Sequence, residues 1–455
     1  MSTKALAVMK ARVSPLRHHV QLGMRLASTK VMEADRPSNT NSTALAKLPT
    51  ITLLRSLILT SLMSRDWILR PSLAIIERIV KSKSILLSAD RNPLLNKLLR
   101  WTIYNHFCAG SNAEQVARST ALVKGMGYQG IILGYAKEFV LDPAEGEVYT
   151  DTSRYSSGCY KMIEEWKNGT LQTLENLQAG DFLAVKLTGA GPICLDALQA
   201  HQPMPDHIAK ALEEICLATE SRGCRLWIDA EQQILQVCLD EWTIELMRKY
   251  NRNKVLVYNT IQGYLKGARQ NAERHITLAA REGWCLGLKL VRGAYIEHEV
   301  RSLIHNTKED TDRSYDDIAD MLISQKVPNE AIGLKFPYSS LFIASHNAAS
   351  VWKAIALHNR RLESGLPTTV LECGQIWGMA DELSCELIDN FQQCATTKGL
   401  TTATAPGVYK FLAWGSVSEC MGYLHRRAIE NRGAVERTSH MILALKKEFY
   451  RRVFG

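Results

Sequence analysis

The chain has 455 residues, 46% hydrophobic and 22% charged, a balance that excludes disordered and fibrous classes and suits one large barrel with added helices or two or three smaller domains. A formal charge of +9 suggests an anionic partner, but Lys4, Lys10, Arg12, Arg17, Arg25 and Lys30 all precede the first acid, Glu33, which leaves the body nearly neutral. Eleven cysteines without a CxxC pair, twelve histidines without HExxH, and no apolar run of about 18 residues argue against a zinc site and a membrane-spanning helix.

Residues 1–32 are basic, acid-free and rich in Ser, Thr and Ala, the pattern of a mitochondrial presequence, whose import helix needs a cationic and an apolar face. A solvated basic tail is the alternative. Residues 33–48, rich in Ser, Thr, Asn and Pro, read as a linker, so the mature fold is expected to begin near Pro49. Residues 49–125 form an N-terminal helical region. In it Leu54, Leu57, Ile58 and Leu62 lie on one side of an amphipathic helix, interrupted by Arg55, Ser56 and Ser61. Such a helix either packs on the main domain or lies on a membrane surface, with Lys81, Lys83, Lys97 and Arg100 supplying positive charge.

From residue 126 onward, short β-rich runs alternate with helical stretches. The predicted strands are Gly130–Tyr135, Phe182–Leu187, Arg225–Asp229, Val255–Asn259, Leu286–Arg292, Leu341–Ser345, Thr368–Glu372 and Tyr409–Trp414. His207–Ser221, Asp240–Tyr250 and Tyr264–Glu282 have helical spacing between them. The first and fifth intervals are longer, with extra helical segments expected near Cys159–Leu177 and Ser314–Ser324. Eight alternations of strand and helix spell a (β/α)8 barrel spanning residues 126–455. Gly125-Met-Gly127-Tyr-Gln-Gly130 matches GxGxxG, but it precedes a strand instead of joining one to a helix, so it is read as a turn.

Chemistry in such a barrel collects where the strands end. Polar groups do gather there: Lys186, Asp229, Gln262, Lys289, Arg292 and the run Ser345-His346-Asn347. Each alone is an ordinary junction residue; together they mark a site. After the eighth strand, Tyr423, Arg426, Arg427 and Glu430 share one helical face. That face is either a solvated stripe or a fork of guanidiniums around a small carboxylate.

The segments LKLVRGAY, IASHNAAS, CGQIWGMAD and YLHRRAIEN, supported by IDAE and IQGYLK, resemble the flavin-dependent proline dehydrogenases, in their eukaryotic mitochondrial branch, from about Phe107 to Gly433. The resemblance implies a distorted (β/α)8 TIM-like barrel with FAD at the strand ends and a final helix over the mouth. It implies hydride transfer from L-proline to FAD, then electron transfer to a membrane quinone, with a peripheral contact to the inner membrane on its matrix side. Lys186, Arg426 and Arg427 would hold the proline carboxylate, with Asp229 as charge partner of Lys186. Tyr295, Ile376 and Tyr423 would pack around the ring. Gln262, Lys289, Val291, Gly293, Ser345, His346 and Asn347 would line the flavin, Glu430 would close the network, and Glu138 would gate Arg426.

Two positions depart from the family pattern: Lys289 stands where many members have Arg, and Phe411 where Tyr is common. The alternatives are a hydroxyproline dehydrogenase, a Schiff-base lyase using Lys186, and a catalytically silent proline-binding relative.

Overall fold

The computed structural model describes residues 44–82, 84–136, 155–296, 299–397, 406–430 and 435–454. The presequence, most of the linker and Glu138 lie outside these residues. The fold begins earlier than Pro49, because Ala44–Lys47 form a 3-10 turn whose Leu45, like Leu48 beyond it, is buried in the main core.

Two helices follow, α1 (Thr50–Met63) and α2 (Asp66–Lys81). The buried face of α1 differs from the expected one. Leu53, Ser56 and Thr60 face inward while Ile58 and Leu62 are exposed, because the Ser56 hydroxyl donates to the Asp381 carboxylate at 3.3 Å and draws the polar side against the barrel. Helix α3 (Pro93–Leu99) starts on Asn92, whose side chain accepts the amides of Leu94 and Leu95, with proline where no amide is needed. A π-turn, Arg100–Tyr104, continues it. Helix α4 (Ala113–Gly125) is capped by Asn112 and ends in the glycine turn of the discarded GxGxxG, where Gly127 takes φ +101°.

Eight parallel strands then close into a barrel, each paired with its neighbour in sequence and the last with the first. They are β1 (Gly130–Tyr135), β2 (Phe182–Val185), β3 (Arg225–Ile228), β4 (Val257–Gln262), β5 (Leu286–Val291), β6 (Ser339–Ala344), β7 (Val370–Ile376) and β8 (Gly407–Trp414). All eight predicted strands are present, β1 with the expected limits and the other seven with shifted ends. Strand β4 starts two residues late because the Asn251 side-chain oxygen Oδ1 accepts the amides of Leu256 and Val257. Strand β7 starts late because Thr368 and Thr369 donate their hydroxyls to carbonyls of Ile323 and Leu322.

The crossover helices are α5 (Ser157–Glu175), α6 (Pro192–Gln199), α7 (Asp206–Ser221), α8 (Gln233–Tyr250), α9 (Ala268–Glu282), α10 (Lys308–Ile323), α11 (Ala348–Glu363) and α12 (Asp381–Thr397). The segments expected as extra in the first and fifth intervals are the crossovers themselves, α5 and α10; the additional helix is α6, in the second interval. After β8 come α13 (Val417–Glu430) and α14 (Val435–Phe454). The described cysteines are unpaired and nearly all buried, as expected of reduced core thiols.

Strand alternation divides the inward residues into levels. At the base, Arg225 binds Glu372 at 2.8 Å, donates to the Tyr409 hydroxyl, and lies over the Phe182 ring. This buried ion pair closes the N-terminal end. Above it Phe182, Trp227, Phe342 and Tyr409 pack edge to face and fill the middle. Higher still the inward positions become small: Gly134, Ala184, Ala344 and Gly374. A β-carbon at Gly374 would stand 2.7 Å from Phe342, and one at Gly134 would stand 3.0 Å from Phe411. Large rings below and small residues above leave the C-terminal end hollow.

Candidate active site

The hollow opens as a cavity of about 540 Å³ at the strand ends. Its inner part is lined by Lys186, Asp229, Lys289, Ile376, Phe411, Tyr423 and Arg427, and its outer arm runs past Val291 and Gly293 to His305, Thr307 and Lys308.

Three buried charges define the inner part. The Lys289 ammonium lies 2.5 Å from one Asp229 oxygen and 4.1 Å from the centre of the Trp227 ring. The Lys186 ammonium lies 4.0 Å from the other oxygen and donates to the Tyr295 hydroxyl at 3.0 Å. Burial alone would push the Asp229 carboxyl up, but the two lysines outweigh it and hold its pKa below the ordinary carboxylate value. Asp229 is therefore an anion shared by two cations. Lys186 reaches in because β2 stops at Val185 and turns into the 3-10 segment Leu187–Ala190, fixed by the Thr188 amide donating to Glu231.

The opposite wall is apolar. Phe411 sits in the space left by Gly134, and its ring centre is 6.4 Å from that of Tyr423. Ile376 ends β7, where its amide donates to His346 Nε2 at 3.1 Å, which places the imidazole proton on Nδ1 when the ring is neutral. Tyr423 comes from α13. That helix begins with a capping box: the Glu419 amide donates to the Ser416 hydroxyl and the Ser416 amide to the Glu419 carboxylate. Glu419 also accepts from Tyr135 at 2.7 Å, tying the start of α13 to the end of β1. Leu59, Ile79, Leu95 and Tyr104 of the N-terminal segments pack against Cys420, Met421 and Leu424 and press α13 toward the mouth.

The structure brings Lys186, Asp229, Lys289, Val291, Gly293, Ser345, His346, Asn347, Ile376, Phe411, Tyr423 and Arg427 to the cavity wall. Three other expected residues stand just behind it. Gln262 is buried, accepting the Ala294 amide and donating to the Glu231 carbonyl. Tyr295 touches the site through Lys186. Arg426 is one helical step away from Arg427, beside Gly422. The side chain of Glu430 lies outside the described residues.

The outer arm was not anticipated. Arg301 clamps the carbonyls of Ile304, His305 and Asn306 and so shapes the loop that leads into α10. Thr307 then caps α10 in a capping box with Asp310. The one sequence signal for this arm was the Thr307-Lys-Glu-Asp310 box. Arg292 joins β5 to α10 and α11 through Asp312 and Ser350.

Several buried polar atoms of the lining have no partner among the described residues: Trp227 Nε1, Arg292 Nε and His305 Nε2. Such atoms are costly unless a ligand or water satisfies them. Lysines at both ends, the N-terminus of α11 capped by Asn347, and the apolar slot between them suit an elongated anionic ligand with a flat ring system. Among the described residues no cluster of His, Cys, Asp and Glu could hold a metal ion, and no helix is long and apolar enough to cross a membrane.

Comparison with known proteins identifies the family of this chain. Residues 116–440 match the model of the proline dehydrogenase family. A probable mitochondrial proline dehydrogenase of Schizosaccharomyces pombe is 27% identical over 450 residues, covering 88% of each chain. The human mitochondrial proline dehydrogenase 1 is 35% identical over 247 residues, which are 52% of this chain and 37% of that protein. Among solved structures, proline utilization A from Bdellovibrio bacteriovorus, inactivated by N-propargylglycine, aligns with a TM-score of 0.59 at 15% identity over 91% of this chain and 41% of its own. The aligned parts thus make up under half of the human and bacterial proteins, and the bacterial likeness speaks for the fold.

Proposed function

The chain belongs to the proline dehydrogenase family, and from that premise we propose that it oxidises L-proline to Δ1-pyrroline-5-carboxylate, with FAD as cofactor and a membrane quinone as final electron acceptor. The observation that carries this reading is the polarised inner cavity, with Lys186 and Arg427 among its cations and Ile376, Phe411 and Tyr423 as its apolar wall. Proline has the same polarity, a carboxylate on a small apolar ring.

In this reading Lys186 and Arg427, helped by Arg426, hold the carboxylate, and the three apolar side chains orient the ring; binding energy is converted into position. Asp229 is the counter-ion of Lys186 at 4.0 Å and helps to aim it. Lys289, Val291, Gly293, Ser345, His346 and Asn347 line the FAD site, with Gln262 behind them and Glu430 closing the network. The outer arm, with its unpartnered His305 Nε2, takes the remainder of the cofactor. When bound, FAD supplies the hydride acceptor. Lys289 keeps a positive charge beside it but lacks the planar fork of an arginine. The ring nitrogen must lose its ammonium proton before its lone pair can expel a hydride, so turnover is expected to rise with pH. The acid-free residues 1–32 support a mature protein on the matrix side of the inner mitochondrial membrane.

Anaerobic mixing of the purified protein with proline tests this directly. Loss of the oxidised flavin band is expected. A flavin that no imino acid bleaches would point to a silent relative, and a protein without flavin to Schiff-base chemistry at Lys186.

Phe411 bears on the ring selected. It keeps the aromatic wall but gives a ring hydroxyl no partner, and an unpaired buried hydroxyl costs about 1–3 kcal/mol. Proline is therefore expected to exceed trans-4-hydroxyproline in kcat/KM, and Phe411→Tyr to change proline turnover only modestly. Steady-state kinetics with both substrates would show it; a preference for hydroxyproline would reassign the enzyme as a hydroxyproline dehydrogenase.

A further inference from the structure

The run IQGYLK at the end of β4 contributes Gln262 to the reading above and leaves Tyr264 without a role. Tyr264 is buried, borders the cavity, and meets three stretches of the chain that follows β5. Its amide donates to the Arg292 carbonyl at 2.7 Å and its carbonyl accepts the His305 amide at 2.9 Å, which ties the end of β5 to the outer arm. Its ring lies against Gly293, where an added β-carbon would stand 2.4 Å from it. Its hydroxyl donates to the Glu299 carboxylate at 3.3 Å.

Glu299 carries the connection to the other half of the site. The same carboxylate oxygen accepts the amide of Gln233 at 2.9 Å, at the first residue of α8, where the helix dipole favours an anion. The Glu299 amide donates to the Tyr295 carbonyl at 3.0 Å, and the Tyr295 hydroxyl accepts from the Lys186 ammonium at 3.0 Å. A ring that only filled the core would have no use for a hydroxyl on a carboxylate. A carboxylate that only capped α8 would have no use for Tyr264.

We propose that Tyr264 and Glu299 are positioning residues: the Tyr264 ring backs the chain at Gly293 on the cofactor side, and Glu299, held by Tyr264 and the start of α8, sets Tyr295 against Lys186 on the carboxylate side. Both act through other residues. The assignment rests on the proposed function, since it takes Gly293 as part of the flavin lining and Lys186 as part of the substrate clamp.

Variants of the purified flavoprotein test it, read by kinetics, by FAD content and by equilibrium binding of cyclopentanecarboxylate, which has the ring and the carboxylate but no nitrogen to oxidise. In Glu299→Ala the KM for proline and the Kd for cyclopentanecarboxylate are expected to rise together, about five- to tenfold, with kcat changing less. Glu299→Gln keeps an acceptor oxygen for both donors and should recover most of that loss. Tyr264→Phe should raise KM about two- to fivefold alone and not at all on top of Glu299→Ala, because its hydroxyl acts through Glu299. Tyr264→Leu withdraws the ring from Gly293, so it should lower FAD content and shift the flavin absorption band, which Glu299→Ala leaves as in the unmodified protein. Unchanged KM and Kd in Glu299→Ala, or additive effects of the two changes, would overturn the assignment. If Glu299→Ala does not fold, Tyr264→Phe decides, and an unchanged KM there overturns it. Failure of the proposed function would look different: the unmodified protein would hold no flavin, or a flavin that proline does not bleach.

Discussion

Asp229→Asn is expected to destabilise the folded chain by about 3–5 kcal/mol near neutral pH, because it removes the anion shared by two buried lysines and leaves both ammonium groups uncompensated. The Asp229 side chain is 15% exposed and those of Lys289 and Lys186 are 10% and 13%, so water replaces the lost charge only in part. The pH dependence follows from the lowered pKa of Asp229. A carboxylate whose folded pKa lies below its unfolded one, about 3.9, contributes stability that is present above the unfolded value and lost as pH falls through the folded one. The gap between wild type and Asp229→Asn should therefore be widest near neutrality and close in acid. In a Lys289→Met background the same substitution should cost less, since one of the two stranded cations is gone. Urea unfolding of the four proteins measures all of this. A cost below about 1 kcal/mol, or one unchanged by Lys289→Met, would mean that Asp229 is not the shared counter-ion.

What the sequence revealed and what it hid divide along physical lines. The strands were legible because they are short, mostly apolar and β-rich runs separated by turn residues, as in Gly130–Tyr135, whose limits agree with the expectation. Inner-site residues such as Lys186 and Asp229 were legible because a barrel gathers strand ends whatever its chemistry. The buried face of α1 was not, since the partner of Ser56 lies 325 residues away in Asp381, and hydropathy places a serine outside. Nor was the outer arm: the loop holding His305 has no period, and its shape comes from Arg301 binding three successive carbonyls. Local pattern encodes the frame, and long-range polar bonds decide which surfaces face each other.

Arg427 illustrates that last point and carries the largest expected effect on catalysis. By helical spacing Arg426 and Arg427 are equivalent candidates for the proline carboxylate, but packing separates them. Helix α13 is held between its capping box at Ser416 and the N-terminal helices, and in that orientation Arg427 lines the cavity, its guanidinium 5.5 Å from the centre of the Tyr423 ring, while Arg426 stays beside Gly422. A guanidinium already poised over the ring proposed to pack against proline would lose little freedom on binding. Arg427→Met keeps the length and removes the charge, so a charge-assisted bond worth about 1.5–3 kcal/mol should disappear and KM for proline rise roughly ten- to a hundredfold. Bound flavin should stay near wild type, because the residues proposed to line the flavin lie mainly on β5, β6 and the outer arm. Arg426→Met should raise KM less. Equal increases in the two variants would mean that α13 turns on binding to present both guanidiniums, and an unchanged KM in Arg427→Met would remove the arginine from the substrate clamp and leave Lys186 to hold the carboxylate alone.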